Sequence, residues 1–358
     1  DDRIAGMGPL HLAAALGDSD AILALLKLGA LPNQLAAGAS PLIEAASNGH
    51  AKAIEVLLAH GADPSLRDAD DERAIDQAVF LGHADVARIL LHREKPFVEN
   101  ESELLAALVR HSDAELLREF LKAGASIPRD AKVQEDSIFD GRKSDPSAPL
   151  KAAVCEPDSG MLRVLMEFPD ATGVSVPGFL VLALHQAAEC GRLANVRFLI
   201  EEKHVDQDVL LDDSLGGVIR IDGDSKEGTP KPVSGYSALS RALEEGHFDI
   251  VRYLVDRGAA ITGRTRGGEP PLSFAARHSQ LEMLRLFLEH KALTELVDID
   301  GETALHSAAR SNDATAVKLL LEQGAHAGAK SKGGFTPLDL ARTLGAKDVI
   351  PLLEKPAK

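Results

Sequence analysis

The 358-residue sequence has no tryptophan, two tyrosines and two cysteines. So few aromatics leave little of the flat stacking surface that single-strand nucleic-acid binders use. Cys155 and Cys190 are too few for a disulfide framework. Two free thiols, and with them a cytoplasmic or nuclear location, are the expectation. Long apolar runs are missing as well. Stretches such as 179–184 fall far short of the ~20 residues that span a membrane, so no membrane insertion is expected. Positive charge is short: 39 Lys and Arg stand against 55 Asp and Glu, a net of −16. That balance disfavours nucleic acid and favours a protein or peptide partner with a basic stretch. The chain opens on Asp1-Asp2-Arg3, without a signal-peptide pattern. Such an opening reads as a fragment boundary or a processed start.

What the sequence does have is an internal repeat. Ser40-Pro41-Leu42, Ser237-Ala238-Leu239, Thr303-Ala304-Leu305 and Thr336-Pro337-Leu338 begin similar segments. With one Leu or Ile anchor in each unit, the anchors are Leu10, Leu42, Ile75, Leu105, Leu150, Leu184, Leu239, Leu272, Leu305 and Leu338. Their intervals are 32, 33, 30, 45, 34, 55, 33, 33 and 33. Small residues follow most anchors (Ala45-Ala46, Ala308-Ala309), then a Gly seven residues on (Gly17, Gly49, Gly82, Gly191, Gly246). Apolar residues come next at helical spacing (Ile54, Leu57, Leu58), and Gly-Ala closes the unit (Gly61-Ala62, Gly258-Ala259). This spells a helix, a tight turn, a second helix with one apolar stripe, and a C-capping Gly before an extended loop. Ser or Thr at the N-cap with Pro after it starts the first helix. The fold class expected is all-α, a solenoid running through 1–358.

These residues resemble the ankyrin repeat family: Thr336-Pro337-Leu338, Leu305-His306, Ala308-Ala309, Gly49-His50 and Gly61-Ala62-Asp63. About ten repeats cover nearly the whole chain. Some depart from the pattern. Repeat three has Arg73-Ala74-Ile75-Asp76 for its signature and Arg93-Glu94 for its closing Gly-Ala. Repeat five has Pro157 at the turn. Pro351 should kink or shorten the last helix. The two long intervals place insertions near 126–147 and 204–236, both after a second helix, in the finger loop. In the second, Val209-Leu210-Leu211 and Val218-Ile219 around Gly216-Gly217 suggest a short hairpin.

The resemblance implies a non-catalytic protein-protein interaction module, a scaffold, adaptor or recognition domain, holding its partner in a concave groove. It implies contact positions in the two residues before the turn Gly and in the finger loop. Mapped here, the candidates are Phe80, Leu81, Arg110, His111, Glu156, Glu189, Tyr236, Glu244, Glu245, Arg277, His278, Arg310 and Phe335. Glu189, Glu244 and Glu245 read as an acidic centre, with Arg277, His278 and Arg310 as a basic step after it. A basic stretch of the partner would then lie over repeats six and seven, and an acidic stretch over eight and nine. Phe80 has the alternative of tucking under a neighbouring repeat. A monomer is expected.

Catalytic and metal chemistry finds little to stand on. His11, His185 and His306 follow anchors directly, and His50, His83 and His247 follow the turn Gly, so structural hydrogen bonding accounts for them better than ligation does. No four-ligand zinc set, calcium loop or phosphate-binding Gly loop occurs. No cofactor and no metal are expected. The alternative to a binding module is an enzyme with a pocket under the 204–235 insertion, using His185 and Glu189, four apart on one helical face.

Overall fold

A computed structural model describes residues 7–93, 102–111, 113–126, 148–172, 177–212, 217–219 and 236–354. The chain divides into two compact units, 1–175 and 176–358. The first holds α1 (Pro9–Leu16), α2 (Ser19–Lys27), α3 (Pro41–Ser47), α4 (Ala51–Ala59), α5 (Ala74–Phe80), α6 (Ala84–Leu91), α7 (Ser102–Arg110), α8 (Ala114–Lys122), α9 (Ala148–Val154), α10 (Gly160–Glu167) and the short α11 (Pro169–Thr172). In the second are α12 (Pro177–Glu189), α13 (Leu193–Arg197), α14 (Ala238–Glu244), α15 (Phe248–Asp256), α16 (Pro271–Arg277), α17 (Leu281–Glu289), α18 (Ala304–Arg310), α19 (Ala314–Glu322), α20 (Pro337–Leu344) and α21 (Ile350–Leu353). Within each unit first helices pack on first helices, as α1 on α3 and α16 on α18, and second helices on second helices. The all-α helix-turn-helix stack is the architecture the period implied.

Local chemistry explains the elements. Ser40 caps α3 by accepting from Ile43 N at 3.3 Å, and Pro41 sits at the first helical position. Thr336 and Asp339 cap α20 reciprocally. The paired alanines Ala45, Ala46, Ala308 and Ala309 are fully buried, letting neighbouring first helices approach closely. The apolar stripe of each second helix closes the core, as Ile54 and Leu57 do from α4 and Val317 and Leu320 from α19. Pro351 falls in α21, which is cut to four residues.

Among the described residues, a recurring hydrogen bond closes the finger loop at its base. The donor lies twenty-six residues past an anchor in most units, and the acceptor carbonyl lies three before the next anchor. It joins Asp68 N to Glu72 O, Thr265 N to Glu269 O, Asp298 N to Glu302 O and Ser331 N to Phe335 O, all at 2.9–3.0 Å. Leu211 N and Tyr236 O make the same bond at 2.9 Å. The second insertion is therefore an outgrowth of a regular finger, and it carries the expected hairpin. Strand β1 (Leu210–Asp212) pairs antiparallel with β2 (Gly217–Ile219), Leu211 opposite Val218. The first insertion lies outside the described residues, apart from Ser126.

The second long interval is not all finger loop. After α13 the chain runs into a π-turn at Phe198–Glu202. Val205 N then bonds Leu199 O, six residues back, where Ala62 N bonds Leu57 O, five back. One extra residue has been absorbed inside the second helix.

Both cysteines are disulfide-bonded, which corrects the expectation of two free thiols. That expectation set the ~8–10 Å spacing of helix axes against the Cα separation of a disulfide. Side chains project well out from a helix axis, so the spacing of axes does not by itself exclude a disulfide.

Candidate functional site

The histidines come first, because they are part of the frame. His50, His83 and His247 each donate from Nε2 to a carbonyl at the end of the preceding repeat's first helix: Ala15 O at 3.0 Å, Ser47 O at 3.1 Å and Glu189 O at 3.0 Å. Each ring stands over the preceding turn glycine. A Cβ on Gly49, at φ +73°, would lie 2.6 Å from His83 Nδ1. His11, His185 and His306 donate instead into the finger that follows their own helix pair, to Gln34 O, Val209 O and Phe335 O. All six play the structural part expected of them.

A second link joins neighbouring fingers. Asn33, Asp208 and Glu295 each accept, through a side-chain oxygen, the backbone N–H of the next repeat's finger: Asp63 N, Ala260 N and His326 N, at 2.7–3.0 Å. The sequence pattern holds no obvious sign of this, because three different residue types do the same work.

In the first unit, Phe80 is half-buried while Leu81 is 52% exposed. Arg110 is exposed and Glu156 half-buried. His111 is exposed, yet its Nε2 donates to Phe80 O at 3.2 Å and its ring sits over Gly82. It takes the frame position that His83 takes one repeat earlier.

In the second unit the acidic candidates form a mixed cluster. Glu189 accepts from Arg241 Nη1 at 2.9 Å and from Arg266 Nη2 at 2.8 Å. Glu244 accepts from Arg266 N at 2.7 Å, and Glu245 lies 3.6 Å from the Arg266 guanidinium. Three carboxylates thus face two guanidinium groups. Burial pushes the Glu244 carboxyl above its ordinary range, against the pull of the Arg266 hydrogen bond and charge. Arg241 is 4% exposed and lies under Tyr236, its guanidinium carbon 5.2 Å from the ring centre. Arg241 was not among the residues the sequence singled out, although it is the residue on which this cluster is built.

The basic candidates are also matched. Arg277 pairs with Glu269 and lies 3.7 Å from Asp298; Arg310 pairs with Glu302. The carboxylates Glu269, Asp298 and Glu302 are buried, and the two arginines are partly exposed. His278 is exposed and stacks on Phe274 with centroids 4.3 Å apart. Phe335 is 47% exposed at the base of the last finger.

The residues of the enzyme alternative are already committed. His185 is 2% exposed, its Nε2–H is spent on Val209 O, and burial lowers its pKa to about 3. A neutral ring sealed from solvent offers no base. Glu189 is held by its two arginines. Among the described residues no group of three or more His, Cys, Asp or Glu side chains is arranged to hold a metal ion. No helix among them is long and apolar enough to cross a membrane.

A family model described as ankyrin repeats (3 copies) matches residues 7–101, 218–298 and 290–358. No curated protein matches the chain.

Proposed function

The chain belongs to the ankyrin-repeat family, and from that premise we propose a non-catalytic protein-protein interaction module, a scaffold, adaptor or recognition domain that holds a protein or peptide along its first-helix and finger faces. The supporting observation is the contrast between frame and face. The finger-base bonds and the histidine bonds recur from repeat to repeat. The side chains before the turn change from Leu81 to Glu245 to His278, and all three are exposed. A constant frame carrying a varied face suits recognition, where a few aromatic, Arg and apolar anchors supply most of the energy.

The finer reading places a basic stretch of the partner over Glu244 and Glu245. Three carboxylates against two arginines there leave a negative residue to be met. Arg277 and Arg310 already have buried acidic partners, so an acidic stretch over them has less support than the basic one. The cytoplasmic or nuclear location rested on reduced thiols, and the bonded cysteines remove that support, since disulfides persist mainly in oxidising compartments.

The test is a pull-down from native lysate comparing the intact chain with Glu244→Lys/Glu245→Lys. The partner should be retained by the intact chain and lost by the variant. Equal retention by both would overturn the placement of the basic stretch.

A further inference from the structure

Each repeat shows which of its side chains face its neighbours. Eleven and fifteen residues past the anchor, the second helix carries two side chains of one stripe. In α4, α6, α15, α17 and α19 they are Ala53 and Leu57, Val86 and Leu90, Ile250 and Leu254, Met283 and Phe287, and Ala316 and Leu320, all at most 1% exposed. In α2 the pair is Ala21 and Leu25, and both are only half-buried. Ile22, one place after Ala21, is fully buried like its equivalents Ile54 and Val317. The last repeat reverses this: Val349 is buried and Ile350, one place on, is partly open. The first stripe therefore packs on the preceding repeat and the second on the following one.

The outer edges of the first and last repeats differ in chemistry. In the last, Arg342 stands where Ala46, Ala276 and Ala309 stand in others, and it pairs with Glu354 at 2.8 Å. That edge is closed with charge, as the outer face of a terminal repeat should be. The edge made by α2 is apolar. Ala21, Leu25 and Leu28 lie on one face at i, i+4 and i+7 with Ala24 beside them, and Leu28 is 84% exposed. Asp20 and Lys27 are the only charged residues of the helix, and both are exposed. They share one flank of the apolar face, seven residues or ~10 Å apart, and neither is ion-paired among the described residues.

We propose that α2 packs against α2 of a second copy of this chain, antiparallel about a two-fold axis that crosses the helix near Ala24. Leu25 and Leu28 of each copy then rest on the apolar face of the other, and the small Ala21 and Ala24 leave room for a close approach. An antiparallel two-fold sets the same flank of both helices together with their ends reversed. Asp20 of each copy therefore meets Lys27 of the other, twice in the dimer, as flanking charges do beside an apolar helix seam. A parallel pairing brings opposite flanks together and leaves both charges unmatched. A head-to-tail stack on the last repeat would bury the Arg342–Glu354 pair, and desolvation opposes that. The monomer expected from the sequence left this edge out of account. The interaction-module reading does not depend on the dimer.

The experiment measures the mass of the full chain by light scattering over a dilution series. The 38.0 kDa chain should run at twice that mass, with a dissociation constant of about 10 μM or below. Asp20→Lys and Lys27→Asp change exposed side chains and place like charges opposite each other, so each should weaken self-association at least about tenfold. Mixing the two variants in equal amounts should restore the dimer, because every Lys then meets an Asp. That recovery separates a lost contact from a lost fold. A chain still monomeric at ~100 μM overturns the proposal and leaves the edge to a helix of another protein. A dimer that neither variant weakens overturns it as well, since self-association then uses another face. Two weakened variants that fail to recover on mixing overturn the antiparallel pairing.

Discussion

The imidazole of His83 and the carbonyl of Ser47 belong to different repeats and meet at 3.1 Å. The ring reaches that oxygen only by lying across Gly49, whose φ is +73°. A methyl there meets two penalties at once: the left-handed backbone, ~1–2 kcal/mol for a residue with a Cβ, and a 2.6 Å contact with the ring. Gly49→Ala should therefore destabilise the chain by about 2 kcal/mol or more. His83→Ala, which loses the hydrogen bond and its packing, should cost about 1 kcal/mol. Urea denaturation of the two variants checks the order.

Arg277 gives a prediction with a pH signature. It faces two buried carboxylates, Glu269 and Asp298. Burial already raises the Glu269 carboxyl, and the Arg277 charge restrains the rise. Arg277→Ala removes the restraint. At neutral pH the loss should be about 2 kcal/mol, between the values for buried and for exposed pairs, because Arg277 is partly exposed. A carboxyl raised in the folded state binds its proton more readily there than in the unfolded chain. Stability from that source is present below the unfolded pKa and falls as pH rises through the folded one. The deficit of the variant should therefore shrink from pH 7 towards pH 4.5, and thermal melts across that range measure it.

Much of this was legible because a repeat states its own rules many times. The Gly-Ala closures, the Ser and Thr caps and the frame histidines each follow from a backbone conformation or a donor that every unit needs. The frame role of His111 was missed because its repeat moves the histidine two places earlier. The ion pairs were missed for a different reason. Glu269 with Arg277, and Glu302 with Arg310, stand at the same two positions in consecutive repeats, so the pairing was written in the sequence. Reading each position as a free contact hid it. The π-turn left no signal beyond an interval of 55, which does not say where the extra residue goes. The disulfide depends on side-chain direction, and periodicity does not fix that.

The bonded cysteines predict a chemical behaviour. Iodoacetamide added to native protein without reductant should alkylate neither Cys155 nor Cys190, and after reduction it should alkylate both. Intact mass distinguishes the states directly. Alkylation of both thiols before reduction would restore the argument for a reducing compartment.

His185 predicts acid lability. Its pKa is lowered to about 3, from an ordinary value of 6.5, chiefly by burial. The folded chain binds that proton less readily than the unfolded one. The contribution of a neutral His185 is whole above pH 6.5 and is lost as pH falls towards 3. Between pH 6.5 and 4 the loss should be on the order of 3 kcal/mol. His185→Gln keeps an N–H within reach of Val209 O and has no charge to acquire. Its stability should be lower at pH 7 but flatter with acid, and the two curves should converge by pH 4. Parallel curves would mean that the ring is not sealed.

Lys291 tests the reading of the closing glycine from the opposite direction. It stands where Gly61, Gly258 and Gly324 stand in other repeats, and it holds φ +59° there with an exposed side chain. The left-handed backbone costs a lysine ~1–2 kcal/mol. Glycine avoids that cost but gives the unfolded chain more freedom, worth ~0.5–1 kcal/mol. The backbone term is the larger, so Lys291→Gly should stabilise the chain by about 0.5 kcal/mol. The urea midpoint should rise with the slope unchanged, because the surface exposed on unfolding is the same. A fall in the midpoint would mean that the Lys291 side chain does more in the folded state than its exposure suggests.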